Sequence, residues 1–313
     1  MYRHLLVPVD GADASIEALG QAVEFAQSIG ARITFCPLPA GLTASGPAAG
    51  ADGRAQPADD EETWELLARA EAAARAQGVP CSLAVPGVDA APPPLAEVAR
   101  AHGCDLICVA PRRLTPSSGT PEHGTATVDG GGIAVLTCAI DSRPAVVQAI
   151  GILLAGQRTI AAHLHAALRA ARMARGSDRH REAASLHGIA SRLSELQRPK
   201  HRAMTEALFA RLRARTSAVD AELDELERQH QRAIQMFDEL AQLIARDDES
   251  AATGVPLEAR LHACAQFTWE NMGRKEGVVL PAARRYLSDT DWNALAQAFG
   301  ARCVDESPRS STV

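Results

Sequence analysis

The pattern of apolar residues changes completely at one point in this 313-residue chain, and that change limits the folds available to it. Before Asp141-Ser-Arg-Pro144, short apolar runs alternate with helical stretches, whereas only long helical patterns follow it. A capping residue with proline close behind is a typical helix start. The sequence therefore predicts an α/β domain over residues 1–140, a helical bundle over 141–300 and a disordered tail over 301–313.

The first half reads as strands separated by helices. Because a short apolar run followed by a helical pattern is typical of βαβ units, the alternation predicts a doubly wound parallel sheet covered on both faces. The first run ends at Asp10, and Gly30 is expected to end the helix that follows. The predicted strands cover residues 4–9, 32–38, 81–85, 105–110 and the stretch beginning at Ile133.

Three motifs of this half, Leu5-Leu-Val-Pro-Val-Asp10, Gly30-Ala-Arg-Ile-Thr-Phe35 and Gly103-Cys-Asp-Leu-Ile-Cys-Val-Ala110, resemble a universal stress protein domain. The resemblance covers residues 2–138 and implies a flavodoxin-like strand order. It also implies ATP binding between the acid after the first strand, here Asp10, and a glycine-rich loop after the fourth. Gly124 and Thr125 would be the last glycine and hydroxyl residue of that loop.

The phosphate loop departs from the family pattern at several positions. Ala110 and Arg113 stand where the two leading glycines are expected, and Pro111 removes a backbone donor. Since phosphates need backbone N–H groups at close approach, we expect no bound nucleotide. Asp10 is instead predicted to cap the first helix or to line an empty crevice, with an ATP-binding stress switch as an alternative.

The second half predicts an up-down-up-down four-helix bundle over about 144–174, 181–214, 217–246 and 256–286. Three of these helices carry a polar residue at mid-length on an apolar stripe. Buried polar groups are costly unless they are paired, so we expect these residues to meet in the bundle centre. The residues of this predicted polar centre are Gln157, His230, Asn271 and Lys275.

The run Gly277-Val-Val-Leu-Pro-Ala-Ala-Arg-Arg-Tyr-Leu-Ser-Asp-Thr-Asp-Trp292 resembles the end of a haemerythrin-like (HHE cation-binding) domain. The resemblance implies a di-iron site, and His230 matches the third-helix histidine. Gln157, Asn271 and Lys275 stand where the family has ligands. In the second helix two alignments remain open, and they place either His201 or Glu206 at the family's glutamate.

An amide oxygen is a weak ligand for iron, and an ammonium has no free lone pair. We therefore hypothesise that the Lys275 ammonium takes the place of the metal, donating to Gln157, Asn271, His230 and Glu206. The alternatives are an unconventional metal site around His230, His201 and Glu206, and a rearranged site using His262 and Glu270. His163 and His165 lie off the inward stripe and are predicted to be surface residues.

Composition excludes several classes of function. A net charge of −6 without a basic face argues against nucleic-acid binding. Seven scattered cysteines without a CxxC favour a reducing cytoplasm over disulfides or zinc. The chain opens on a strand pattern, and no run approaches 18 apolar residues, so we expect neither export nor a membrane span.

The sequence also shows no nucleophile–histidine constellation and no paired carboxylates at a defined spacing, so we expect no enzyme. It predicts a cytoplasmic, non-enzymatic stress-response or regulatory protein that binds a protein partner, with no cofactor. The resemblance implies a homodimer through the α/β domain. The alternatives are a non-haem iron protein that binds or senses O2 or NO, and the ATP-dependent switch.

Overall fold

The computed structural model describes residues 2–38, 57–84, 94–111, 132–174, 188–189, 199–247 and 255–304. The chain divides into two units. Unit 1 contains Met1–Ile140 and Gly273–Pro281, and unit 2 contains Asp141–Met272 and Ala282–Val313. The segment 273–281, predicted as part of the bundle, therefore packs within the unit formed by the first 140 residues.

Unit 1 is built on one five-stranded parallel sheet, which confirms the predicted doubly wound fold. Each strand is short and apolar, as expected for a sheet covered on both faces. The strands are β1 (His4–Val9), β2 (Arg32–Pro37), β3 (Cys81–Leu83), β4 (Leu106–Val109) and β5 (Ala134–Thr137).

The strand order is β3-β2-β1-β4-β5, which corrects the predicted flavodoxin-like order of 2-1-3-4-5. β3 pairs with β2 through Ile33 and Cys81, so the first three strands run outward in one direction. The chain then crosses back, and β4 pairs with β1 through Leu5 and Leu106. The topological switch point thus lies between β1 and β4, so that Asp10 and Ala110 follow the two strands that flank it.

Among the described residues of unit 1, three helices cover the sheet: α1 (Asp13–Ile29), α2 (Pro57–Ala76) and α3 (Leu95–His102). Gly30 ends α1 in the left-handed conformation at φ 66°, as predicted, and its N–H bonds the last carbonyls of the helix. Because side chains alternate along a strand, Leu5 packs with α1 and α2 while Leu6 packs with α3. The sheet therefore has an apolar core on each face.

Unit 2 is helical, which confirms the predicted class of the second half. Its helices are α4 (Pro144–Ala174), α5 (Pro199–Arg213), α6 (Asp220–Asp247), α7 (Val255–Arg274), α8 (Leu280–Tyr286) and α9 (Asp289–Val304). α9 continues to Val304, past residue 301 where the predicted tail begins, and residues 305–313 lie outside the described residues. A π-helical turn, Lys275–Val279, joins α7 to α8 and was not predicted.

The core of unit 2 is made by large apolar residues from several of these helices. Its most deeply buried members are Ile150, Leu154, Leu164, Leu168, Leu212, Leu223, Leu226, Leu240, Leu261, Trp292 and Phe299. Within the described ranges, one helix, Pro144–Met173, is long and apolar enough to cross a membrane by length and composition. Core helices of soluble proteins pass the same test, so this is weak evidence for a span.

Candidate functional site

Asp10 lies at the switch point, directly after β1, but its carboxylate is engaged locally. Its Oδ1 accepts a hydrogen bond from the backbone N–H of Ala12 at 3.0 Å, and its own N–H donates to Ser15 Oγ at 3.3 Å. Gly11 takes the left-handed conformation between them at φ 73°. The N-cap of α1 is Ala12 rather than Asp10, so Asp10 shapes the turn before the helix instead of capping it. Gly124 and Thr125 lie outside the described residues.

Very little space remains beside this turn on the side of α1 and α2. The cavity measures about 10 Å³, which is about the minimum for one water molecule. A nucleotide does not fit this space. The cavity is lined by Val9, Gly11, Ser15, Ile16, Leu19, Leu66, Arg69, Ala70 and Glu276.

A buried ion cluster forms one wall of that cavity. Arg69 donates from Nη1 to Glu65 at 2.6 Å and from Nη2 and Nε to Glu276 at 2.5 and 3.2 Å. The three side chains are only 5%, 8% and 2% exposed, respectively. Burial alone would lower the pKa of Arg69, but the carboxylates of Glu276 and Glu65 raise it overall, so the guanidinium stays charged. Burial raises the pKa of Glu276, and Arg69 opposes that shift.

Lys275, the residue on which the sequence hypothesis depended, belongs to unit 1. It is partly buried, and desolvation lowers its pKa to about 8, with Glu276 acting in the opposite direction. Gln157, His230 and Asn271 belong to unit 2. The predicted polar centre of four residues is therefore divided between the two units.

In unit 2, Asn271 pairs with a residue that the sequence reading missed. Its Nδ2 donates to Gln229 Oε1 at 3.1 Å, and Gln229 Nε2 in turn donates to Glu225 at 3.1 Å. Gln229 is buried, whereas its neighbour His230 is only partly so. Gln229 and His230 are adjacent in α6, about 100° apart around the helix. The periodicity of apolar residues does not fix the orientation of the helix finely enough to tell which of the two is buried. Gln157 Oε1 is buried and accepts no hydrogen bond from the described residues.

Among the described side chains, the residues predicted as metal ligands form no common site. Glu206 is 54% exposed and pairs with Arg202 on the same helix at 2.6 Å, so its predicted inward role is wrong. His262 is 48% exposed and lies 3.8 Å from Glu258. His201 lies in α5, where its side chain is outside the described residues, and His230 lies in α6. Among the described residues, no group of three or more His, Cys, Asp or Glu side chains could hold a metal ion.

This donor set does not fit a di-iron centre, which needs several histidines and bridging carboxylates aimed at one point. A neutral amide at 157 and at 271 supplies only weak oxygen donors. The described part of unit 2 thus offers an amide-rich interior where iron ligands would be required.

His165 corrects another prediction, because it is buried rather than on the surface. It is 4% exposed, and its ring stacks on Trp269 with centroids 5.5 Å apart at 30°. Ala161, Leu164 and Leu168 are buried on the same helix. The buried face of α4 is therefore wider than the single stripe used to predict it, which is why His165 was misplaced.

Comparison with known proteins accounts for both halves of the chain. The model of the universal stress protein family matches residues 1–120, and that of the hemerythrin HHE cation binding domain matches residues 149–283. A crystal structure of a protein from the universal stress protein family from Burkholderia pseudomallei is 22% identical, covers 44% of this chain and 97% of that one, and has a TM-score of 0.31. No curated protein matches significantly. The chain thus joins a universal stress protein domain to a haemerythrin HHE domain, as the sequence motifs predicted.

Proposed function

We propose that this chain is a non-enzymatic, cytoplasmic stress-response protein that acts by binding protein partners. The two families support the stress-related role in general terms. In this proposal the nucleotide site and the di-iron site are both lost, and the domains serve as binding surfaces.

The observation that carries the proposal is the close packing beside Gly11, the residue after Asp10. Leu66, Arg69 and Glu276 line a cavity that takes about one water molecule. The Asp10 carboxylate is already bonded to Ala12. The arrangement therefore favours loss of the nucleotide over an ATP-dependent switch.

The interior of unit 2 supports the same conclusion for iron. Asn271 bonds Gln229 and Glu206 faces solvent, so two of the positions that would bear ligands are used otherwise. The match to the hemerythrin HHE cation binding domain favours iron binding as a second candidate. His230, which matches the family's third-helix histidine, would be one of its nitrogen donors.

The strand β5 is the surface that best suits a protein partner. Among the described strands it pairs only with β4, and it presents Val135 and Leu136 at 38% and 37% exposure. An apolar edge without lysine or proline is a ready template for pairing with another strand. We propose that its occupant is β5 of a second copy, which gives a homodimer.

Three measurements test the proposal. Protein purified from iron-replete medium should contain no stoichiometric iron, and ATP with magnesium should leave the thermal midpoint unchanged. Sedimentation should show a dimer that Val135→Lys converts to a monomer, while Val147→Lys, on an exposed site of α4, leaves it dimeric. Stoichiometric iron would favour the second candidate, an ATP-induced shift would favour the switch, and a wild-type monomer would refute the β5 dimer.

A further inference from the structure

The segment Gly273–Pro281 lies unusually close to the backbones of α1 and α2 within unit 1. A Cβ at Gly273 would overlap the backbone of Arg69, and one at Gly277 would lie 2.5 Å from the Cβ of Ala73. Arg69 and Ala73 are four residues apart, as are the two glycines, so two helical ridges meet in register. On α1, a Cβ at Gly20 would lie 2.9 Å from Pro281. The segment thus has a shaped seat rather than an incidental contact.

The middle of this seat is ionic. Arg69 and Glu276 form a two-pronged pair with side chains 5% and 2% exposed, and Gln77 Nε2 donates to the Gly277 carbonyl at 3.0 Å. Removing two charges from water costs about as much as their attraction in the interior returns. The pair therefore fixes the position of the segment but adds little to the free energy that holds it in place. An apolar contact of the same size would hold the segment more firmly.

The backbone of the segment also departs from regular α-helix. Residues Lys275–Val279 form a π turn with i→i+5 hydrogen bonds. Such turns are rare in proteins, and those that occur are frequently found at functional sites. Glu276, whose carboxylate contacts Arg69, lies within this turn. If the pair were broken, the turn could return to the ordinary α-helical spacing, in which each residue turns the helix by about 100°.

We propose that Gly273–Pro281 is a releasable clasp of unit 1, which opens without unfolding the sheet and is held closed by the Arg69–Glu276 pair. Opening would uncover the small residues Gly20 and Ala73 and would leave Arg69 paired with Glu65. It gives the α/β unit two states that a partner could distinguish.

Hydrogen exchange followed by mass spectrometry on the full chain tests the clasp. In the wild type, the exchange rate of the amides in 273–281 should rise less steeply with urea concentration than the exchange rate of the amides in β1. A local opening exposes less surface than unfolding of the sheet, so it has a smaller urea dependence. Glu276→Gln should speed exchange in 273–281 and in the facing part of α2 by on the order of tenfold or more, with β1 and β4 unchanged. Glu71→Gln is the matched control, since it breaks an exposed pair with Arg75 on the same helix.

An apolar replacement tests the opposite direction. The triple variant Glu65→Leu, Arg69→Met and Glu276→Leu removes every charge of the cluster, and it should slow exchange in 273–281 below the wild-type rate. The proposal is overturned if wild-type 273–281 exchanges with the same urea dependence as β1. It is equally overturned if Glu276→Gln accelerates the segment and the sheet together, because the segment would then open only by global unfolding. If the triple variant does not fold, the Glu276→Gln comparison decides alone.

Discussion

Replacing Lys275 by methionine should stabilise this protein, although it removes a charged residue from a helix. The pKa of Lys275 is lowered by burial from 10.5 to about 8. Since one pKa unit corresponds to about 1.4 kcal/mol, keeping this ammonium protonated in the folded state costs up to about 3 kcal/mol at neutral pH. Methionine has a similar stem without the charge, so Lys275→Met should raise the free energy of unfolding by up to that amount.

The sign of the pH dependence separates this account from simple repacking. Below pH 8 the lysine is charged in both states, and the full cost is present. As the pH rises from about 8 to 10.5, the folded protein has lost the proton while the unfolded chain still binds it, so the wild type gains stability. The advantage of Lys275→Met over the wild type should therefore shrink across this window. Urea unfolding of both proteins at pH 7, 8, 9 and 10 measures it, and other alkaline titrations cancel in the difference.

The chain allows a direct reading of the same group, because Lys200 and Lys275 are its two lysines. Protein labelled with ¹³C at the lysine ε-carbon should give two side-chain signals, and Lys200→Met assigns them and serves as the stability control. The Lys275 signal should titrate near pH 8. Titration near 10.5, together with an unchanged free energy of unfolding in Lys275→Met, would refute the reasoning.

Three further outcomes follow from buried contacts. Gly273→Ala should destabilise unit 1 by about 1–3 kcal/mol in urea unfolding, because the added methyl meets the Arg69 backbone, whereas an unchanged midpoint would contradict the close seat. His4 is buried against Thr34. Burial, and to a smaller extent the charge of Arg32, lowers its pKa, so the unfolded chain binds the proton at a higher pH than the folded protein does. Stability should therefore fall as the pH drops below 6.5, and His4→Asn should flatten that slope. Asp291→Ala should cost about 2 kcal/mol by thermal unfolding, since it removes bonds from Ser288 and Arg215, and a neutral result would mean these bonds contribute nothing.

Much of the fold was readable from the sequence because it rests on periodicity. Alternating strands and helices before Asp141, and helical stripes after it, predicted both units and the glycine that ends α1. The strand order was not readable this way, since pairing of Ile33 with Cys81 is a long-range choice that no local pattern records. The predicted flavodoxin-like order came from the family resemblance, and the observed order β3-β2-β1-β4-β5 differs from it.

The candidate sites were less predictable, for two physical reasons. A helical stripe fixes a residue's direction only to within about one position, so His165 and Gln229 were missed while Glu206 was placed inward. Charged residues on α2 gave no signal either, because Glu65 and Arg69 at a spacing of four read as an ordinary surface ion pair. Only the contact with Glu276, more than 200 residues away, shows that they are buried.

The segment 273–281 is assigned differently by the family match and by its packing. The family model counts it within the haemerythrin HHE domain, whereas its packing places it in unit 1. Lys275 stands at a position where the family resemblance expects a ligand, and the residue beside it, Glu276, is the one that reaches a buried partner. A metal ligand needs a fixed direction toward its ion, and the π turn gives Glu276 such a direction toward Arg69 instead. If the clasp opens as proposed, restoring α-helical spacing in this turn by deleting one residue should release the segment, because the Glu276 carboxylate would no longer face Arg69.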